Sequence, residues 1–122
     1  MESVFSKIPQ SKWLHHSNNF FIVPDKYPVN DGHLLIISKE HRRDFFELTI
    51  EERRELSEMV LKAKDLIEEA NEPDGYNIGI NCGEAAGQTV FHFHCHVIPR
   101  YKGDMTDPRG GVRHSVEGKG YY

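Results

Sequence analysis

Hydrophobic positions recur along this chain with two periods. Between residues 49 and 72, Leu56, Met59, Val60, Ala63, Ile67 and Ala70 return every three or four residues, which sets them on one stripe of a helix. Thr49 and Glu52 have the spacing of a capping box, Glu51 and Glu52 stand where a helix start is positive, and Glu58 precedes Lys62 by about one turn. Pro73-Asp74-Gly75 ends the pattern with turn chemistry. Elsewhere the apolar runs are short and suit strands. Residues 12–16 and 20–23 flank the turn residues Asn18-Asn19, 34–38 form a short apolar run suited to a buried strand, and 76–81 and 91–98 alternate. Strands, a helix, then strands predict an α+β fold with a mainly antiparallel sheet. Beyond Met105 the chain carries Pro108, Gly110, Gly111, Gly118 and Gly120, so residues 105–122 are expected as an irregular tail ordered by a partner surface.

Length and composition narrow the class. The 122 residues suit one domain, and 38% hydrophobic content supports one modest core rather than disorder. No stretch approaches the roughly 20 apolar residues of a membrane span. The start, Met1-Glu2-Ser3, is acidic and not apolar, so a secretory leader is not expected and a cytoplasmic location is. The net charge of −4 weighs against general nucleic-acid binding, and two cysteines are too few for a disulfide framework. Eleven acids against six bases fall within 40–72, so the negative charge is expected on the solvated face of the helix, whereas 99–122 is net basic.

Eight histidines are the unusual entry, and three stand in Phe91-His92-Phe93-His94-Cys95-His96-Val97. In a strand Phe91, Phe93, Cys95 and Val97 would share an apolar face against the helix, and the histidines the opposite face. Three chemistries compete for that face. It is a solvated polar surface, a metal site, or a nucleophilic centre for phosphorus. Alternate histidines start about 6.6 Å apart along a strand and the outer two about 13 Å, so two rings can share an ion but three need a bend. A neutral imidazole can attack phosphorus while its neighbours orient it and carry protons. The loop Gly83-Glu84-Ala85-Ala86-Gly87, with Gln88 and Thr89, offers hydrogen-bond donors for the developing charge.

The segment from Gly87 through Arg100 resembles the signature of the histidine triad superfamily, His-x-His-x-His with apolar intervening residues. Asp25-Lys26-Tyr27-Pro28, then Gly32-His33 and the strand to His41, resemble its ribose-binding turn and additional histidine, and Phe5-Ser6-Lys7-Ile8 resembles its usual start. The resemblance covers residues 4–104 and makes 1–104 a histidine triad domain. It implies a five-stranded antiparallel sheet with one long and one short helix, and a homodimer that joins two sheets. It further implies a hydrolase or nucleotidyl transferase that releases a nucleoside monophosphate from dinucleoside polyphosphates or phosphoramidates. The substrate would be a purine nucleotide. No intrinsic cofactor is implied, a divalent cation serving at most as the substrate's counter-ion.

Carried over residue by residue, His94 is implied as the nucleophile, His96 as the histidine on the phosphate oxygens, His92 as a supporting hydrogen-bond partner, and His33 as the histidine that backs the network. Asn81, Gln88 and Thr89 match phosphate-contacting positions, and Asp25 the ribose acceptor. Val4, Phe5, Ile8 and Val23 are the base-pocket candidates. Many bacterial members hold a structural zinc with paired amino-terminal cysteines and a histidine at the position of His41. Ser3-Val4-Phe5-Ser6 stands there instead, so no such zinc is expected. The transferase branch acting on sugar nucleotides has glutamine where this chain has His96, which favours the hydrolase branches. Gly103-Asp104 after Arg100 resembles the polyphosphate branch. A binding module without turnover, or a metal protein, are the competing classes. His41 is expected at the surface or in a local hydrogen bond, and His15, His16 and His114 at the surface or in a hairpin. Cys95 is expected in the core and Cys82 beside the pocket. Arg109, Arg113 and His114 suggest a tail that closes over a partner's site and binds outer phosphates.

Overall fold

Five strands join in one antiparallel sheet: β1 (His15–His16), β2 (Phe20–Pro24), β3 (Leu34–Ser38), β4 (Gly75–Gly79) and β5 (His94–Arg100), in the order β1-β2-β3-β5-β4. The computed structural model describes residues 3–122, so Met1 and Glu2 of the acidic start lie outside the described residues. β5, last in sequence, sits between β3 and β4, which brings the histidine segment to the middle of the sheet.

The two sheet faces have different covers. Phe20, Ile22, Leu34, Ile36, Cys95 and Val97 pack under Leu56, Met59, Ala63 and Ile67 of the helix α1 (Ile50–Glu68). The opposite face presents Phe21, Val23, Leu35 and Ile37, against which Phe5, Ile8 and Trp13 pack. Burial of each such side chain is worth roughly 1.5–3 kcal/mol. That burial holds the amino-terminal segment on the face that also carries His94 and His96. In the β3–β5 register Ile37 faces His94 and Leu35 faces His96.

The helix starts as its sequence dictates. Thr49 Oγ1 accepts from the Glu52 N–H at 3.0 Å, and Glu52 Oε1 accepts from the Thr49 N–H at 2.7 Å. Glu52 is nevertheless buried, because Arg42 donates to it at 3.0 Å. Burial works to raise its pKa, and the Thr49 N–H and Arg42 outweigh it, leaving it below the usual carboxylate value. The helix ends at Glu68, short of the expected residue 72, and Asn71 Nδ2 donates to the Ile67 carbonyl at 3.1 Å.

Other elements are shorter than the pattern implied. Only His15 and His16 of 12–16 pair as strand, because Gln10–Lys12 winds into a 3-10 turn. Helical structure other than α1 among the described residues is 3-10 turns, one of them Phe5–Lys7, in place of a short α-helix. β5 begins at His94 rather than 91. Phe91 leaves the core and lies under the Arg43 guanidinium, 4.8 Å from the ring centroid, while Phe93 keeps its core place.

The tail is ordered by its own contacts. His114 Nε2 donates to the Arg109 carbonyl at 2.8 Å, Tyr121 donates to the Asp107 carbonyl at 2.9 Å, and the His114 and Tyr121 rings meet edge to face. His114, expected at the surface, is thus the centre of this turn. Gly120 is buried against it, and a Cβ there would lie 1.9 Å from His114 Nδ1.

Candidate active site

The backbone carbonyls assign the proton positions of the triad. His94 Nδ1 lies 2.8 Å from the His92 carbonyl, which can only accept, so in the neutral ring Nδ1 carries the proton and Nε2 the lone pair. His92 Nε2 lies 2.7 Å from the Ser38 carbonyl and carries its proton by the same rule. Its Nδ1 therefore accepts from the Ser3 hydroxyl at 2.6 Å. The Val29 N–H donates to His33 Nδ1 at 3.2 Å, so the His33 proton is on Nε2. That proton faces His96 Nδ1 at 2.9 Å, which leaves His96 with its own proton on Nε2. Neighbouring rings, 5.3 Å between centroids, thus present a free lone pair on His94 and an N–H donor on His96.

Burial favours the neutral form of His92, His33 and His96. It lowers the pKa of His92 and of His33, and in His33 the opposing Asp25 charge does not cancel the effect. His96 is pushed down to about 4, first by burial and then by His94 and His33.

A cavity of about 530 Å³ opens over His94 and His96. Val4, Phe5, Ile8, Val23 and Leu35 give it an apolar wall, and Asp25 and Thr89 add polar groups. The Phe5 ring centroid is 4.9 Å from that of His94. A second cavity of about 360 Å³, on the other side of His96, is lined by His33, Asn77, Asn81 and the tail residues Gly111 and Val112.

Most sequence-predicted residues gather here. His94, His96, Asp25, Thr89, Phe5, Ile8, Val4 and Val23 line the first cavity, and His33 and Asn81 the second. Two stand elsewhere. His92 does not share the open face, because its ring turns inward and supports His94 through its backbone carbonyl. Gln88 does not reach either cavity. Its side chain is buried and bonded to the chain itself, accepting from the Gly83 N–H at 2.7 Å and donating to the Arg43 and Val90 carbonyls at 2.7 and 3.2 Å. It closes the glycine loop and so places Thr89. His41 is half-buried: its ring packs 4.8 Å from that of His92, and its buried Nδ1 has no hydrogen-bond partner among the described residues.

Ser3, Ser38 and Val29 went unread in the sequence. Two act through backbone atoms, which leave no mark on residue identity. Ser3 acts through a hydroxyl 89 positions away from its partner. Tail cations stand apart from the histidines: Arg109 pairs with Asp107 at 2.9 Å, and Arg113 donates to the Lys119 carbonyl and covers the Tyr122 ring.

Asp25 Oδ2, His33 Nε2 and His96 Nδ1 lie within 4.8 Å of one another, a spacing a metal ion can bridge. The backbone behind His33 opposes one. A metal on His33 Nε2 needs the proton on Nδ1, directed at the Val29 N–H, whereas ligand histidines present that proton to an acceptor. His33 instead donates to His96, and the Asp25 carboxylate stands 3.3 Å from His33 Nε2.

A five-stranded antiparallel sheet that sets an unprotonated imidazole nitrogen beside an imidazole donor in a nucleoside-sized cavity defines a histidine-triad protein. Comparison with known proteins agrees. The family model described as "HIT domain" matches residues 7–103. Protein hit of Bacillus subtilis is 40% identical over 98 residues, 80% of this chain and 67% of that protein. AP-4-A phosphorylase of Mycobacterium tuberculosis is 36% identical over 85 residues, 69% of this chain but only 44% of that protein. The crystal structure of a member of the HIT family from Bacillus subtilis matches with a TM-score of 0.77 at 35% identity, covering 85% of this chain and 77% of that one. The chain belongs to the HIT family. No helix among the described residues is long and apolar enough to cross a membrane.

Proposed function

We propose that this protein is a nucleotide hydrolase or nucleotidyl transferase that releases a nucleoside monophosphate from dinucleoside polyphosphates or nucleoside phosphoramidates. One observation carries it: the hydrogen bond from His94 Nδ1 to the His92 carbonyl puts the lone pair of the neutral ring on Nε2, in the lining of the cavity. His94 Nε2 attacks the α-phosphorus and forms a P–N bond, while the leaving group departs with the electron pair of the broken bond. The resulting imidazolium keeps its Nδ1–H on the His92 carbonyl, and the His96 Nε2–H donates to a phosphoryl oxygen. Water then attacks phosphorus, its proton passes to solvent, and the P–N electron pair returns to Nε2. The apolar wall takes a purine base and Asp25 accepts from a ribose hydroxyl. The resemblance to an AP-4-A phosphorylase supports a phosphoanhydride substrate. No metal is required at the site, and a divalent cation serves as the counter-ion of a polyphosphate.

A homodimer follows the same proposal. β4 is an edge strand, and Ile78 on it and Leu61 on α1 are more than half exposed, a surface suited to a second copy. Sedimentation that gives a monomer at assay concentration excludes the dimer.

His94→Ala is expected to abolish turnover of adenosine 5′-phosphoramidate and of diadenosine polyphosphates. His94→Gly should recover part of it with added imidazole. Full turnover by His94→Ala rejects His94 as nucleophile. Binding of nucleotide by the intact chain without product on any of these substrates rejects hydrolysis.

A further inference from the structure

Beside the nucleoside cavity lies a groove of about 460 Å³ with a different chemistry. The two share Val4, Ile8, Val23, Pro24, Asp25 and Lys26, but no histidine lines the groove. It therefore begins where the proposed nucleoside ends, away from the reacting phosphorus. Three cations, Lys7, Lys12 and Lys26, line it. None has a carboxylate within salt-bridge distance among the described residues. The one acid present, Asp25, offsets one of the three positive charges and leaves the lining net positive. In a chain of net charge −4, three unpaired lysines around one groove mark a place for an anion.

The position of Asp25 selects which anion. If Asp25 accepts from one ribose hydroxyl, an ester on the adjacent hydroxyl is directed past it, toward Lys26 and the groove. We infer that the groove binds a phosphate carried on the 2′- or 3′-hydroxyl of the nucleotide, so that the protein prefers ribose-phosphorylated nucleotides over plain ones. This deepens the proposed function and rests on the nucleoside lying in the apolar cavity. The ribose phosphate can be a monoester, as in a nucleoside bisphosphate, or the first phosphodiester of an oligonucleotide. The groove chemistry is the same for both.

The test is calorimetric binding to the full chain, which needs no turnover. The probes are adenosine 5′-monophosphate, adenosine 3′,5′-bisphosphate, adenosine 2′,5′-bisphosphate and the 5′-phosphorylated dinucleotide pApA. One bisphosphate is expected to bind about tenfold more tightly than the monophosphate at low salt, since three exposed ion pairs contribute about two- to threefold each. Salt at 0.5 M should collapse the difference. Lys7→Ala with Lys12→Ala should reduce it to about threefold and leave monophosphate binding unchanged. A gain for pApA as well identifies a chain end, and a gain confined to the bisphosphates identifies a monoester. Equal binding of both bisphosphates and the monophosphate overturns the groove, as does a double variant that weakens every ligand alike. Failure of all four probes to bind is a different result, and rejects the nucleotide site itself.

Discussion

Ser3→Ala isolates the least expected contact of the site. The Ser3 hydroxyl donates to His92 Nδ1 at 2.6 Å and accepts from the Phe5 N–H at 3.1 Å. His92 is 1% exposed, so alanine leaves a buried ring nitrogen with no donor. An unsatisfied buried acceptor costs about 1–3 kcal/mol, and the lost turn bond a few tenths more, giving a total of about 2 kcal/mol. For a domain of this size that lowers the melting temperature by about 8 °C. The Phe5 ring stands against both His92 and His94, so loosening the turn should also raise KM more than it lowers kcat. The control is Ser6→Ala. Its hydroxyl bonds only to Ser3 backbone at the exposed surface, at 2.7 and 2.8 Å, and the change should cost about 0.5 kcal/mol or less. Urea unfolding of both variants, with steady-state kinetics, decides the matter. Equal stability of Ser3→Ala and the parent, or equal losses in the two variants, would refute the assigned proton positions.

Further outcomes follow from other contacts. Gln88→Glu turns a buried donor into a carboxylate facing the Arg43 and Val90 carbonyls, and should cost about 3–5 kcal/mol at neutral pH. Because its folded-state pKa would be raised, the loss should shrink as pH falls toward the free glutamate value, and a pH-independent loss in urea melts would contradict the geometry. His96 has its folded pKa lowered to about 4 from 6.5, so below pH 6.5 the unfolded chain binds the proton first. Its contribution to stability should fall by about 2 kcal/mol between pH 7 and 4.5, and His96→Asn should remove that part of the acid sensitivity in urea midpoints. Gly120→Ala places a methyl 1.9 Å from His114 Nδ1 and should release the tail. Trypsin should then cut at Arg109 and Arg113 several-fold faster while the melting temperature holds, and unchanged cleavage would contradict the packing.

The periodic elements were the legible part. α1 announced itself through its stripe and its capping box, since local backbone bonds and one buried face decide a helix. The five strands were placed, but their ends were not: whether 91–93 pair depends on where β3 stops, and Ser38 is a distant residue. The same limit applies to the site. His94 and His96 follow from strand parity, which makes β5 expose alternate residues. His92 breaks that parity because the strand has not yet begun there, and so its ring turns inward. Gln88 matched a phosphate position by motif, yet its amide is consumed by three backbone groups that sequence cannot place. The tail is irregular, as its glycines imply, but its own packing was not legible, because Gly110 and Gly120 allow a close approach that a Cβ would block.

The sheet also segregates charge. The acidic outer face of α1 lies on one side of it, and the histidine cavity with Lys7, Lys12 and Lys26 on the other, about 10 Å or more away. The three lysines give the mouth of the site a local positive bias, which favours an arriving anion despite the negative net charge. The consequence is kinetic. The capture rate of a polyphosphate should fall with ionic strength once the screening length drops below about 8 Å, while the chemical step on the captured molecule stays constant.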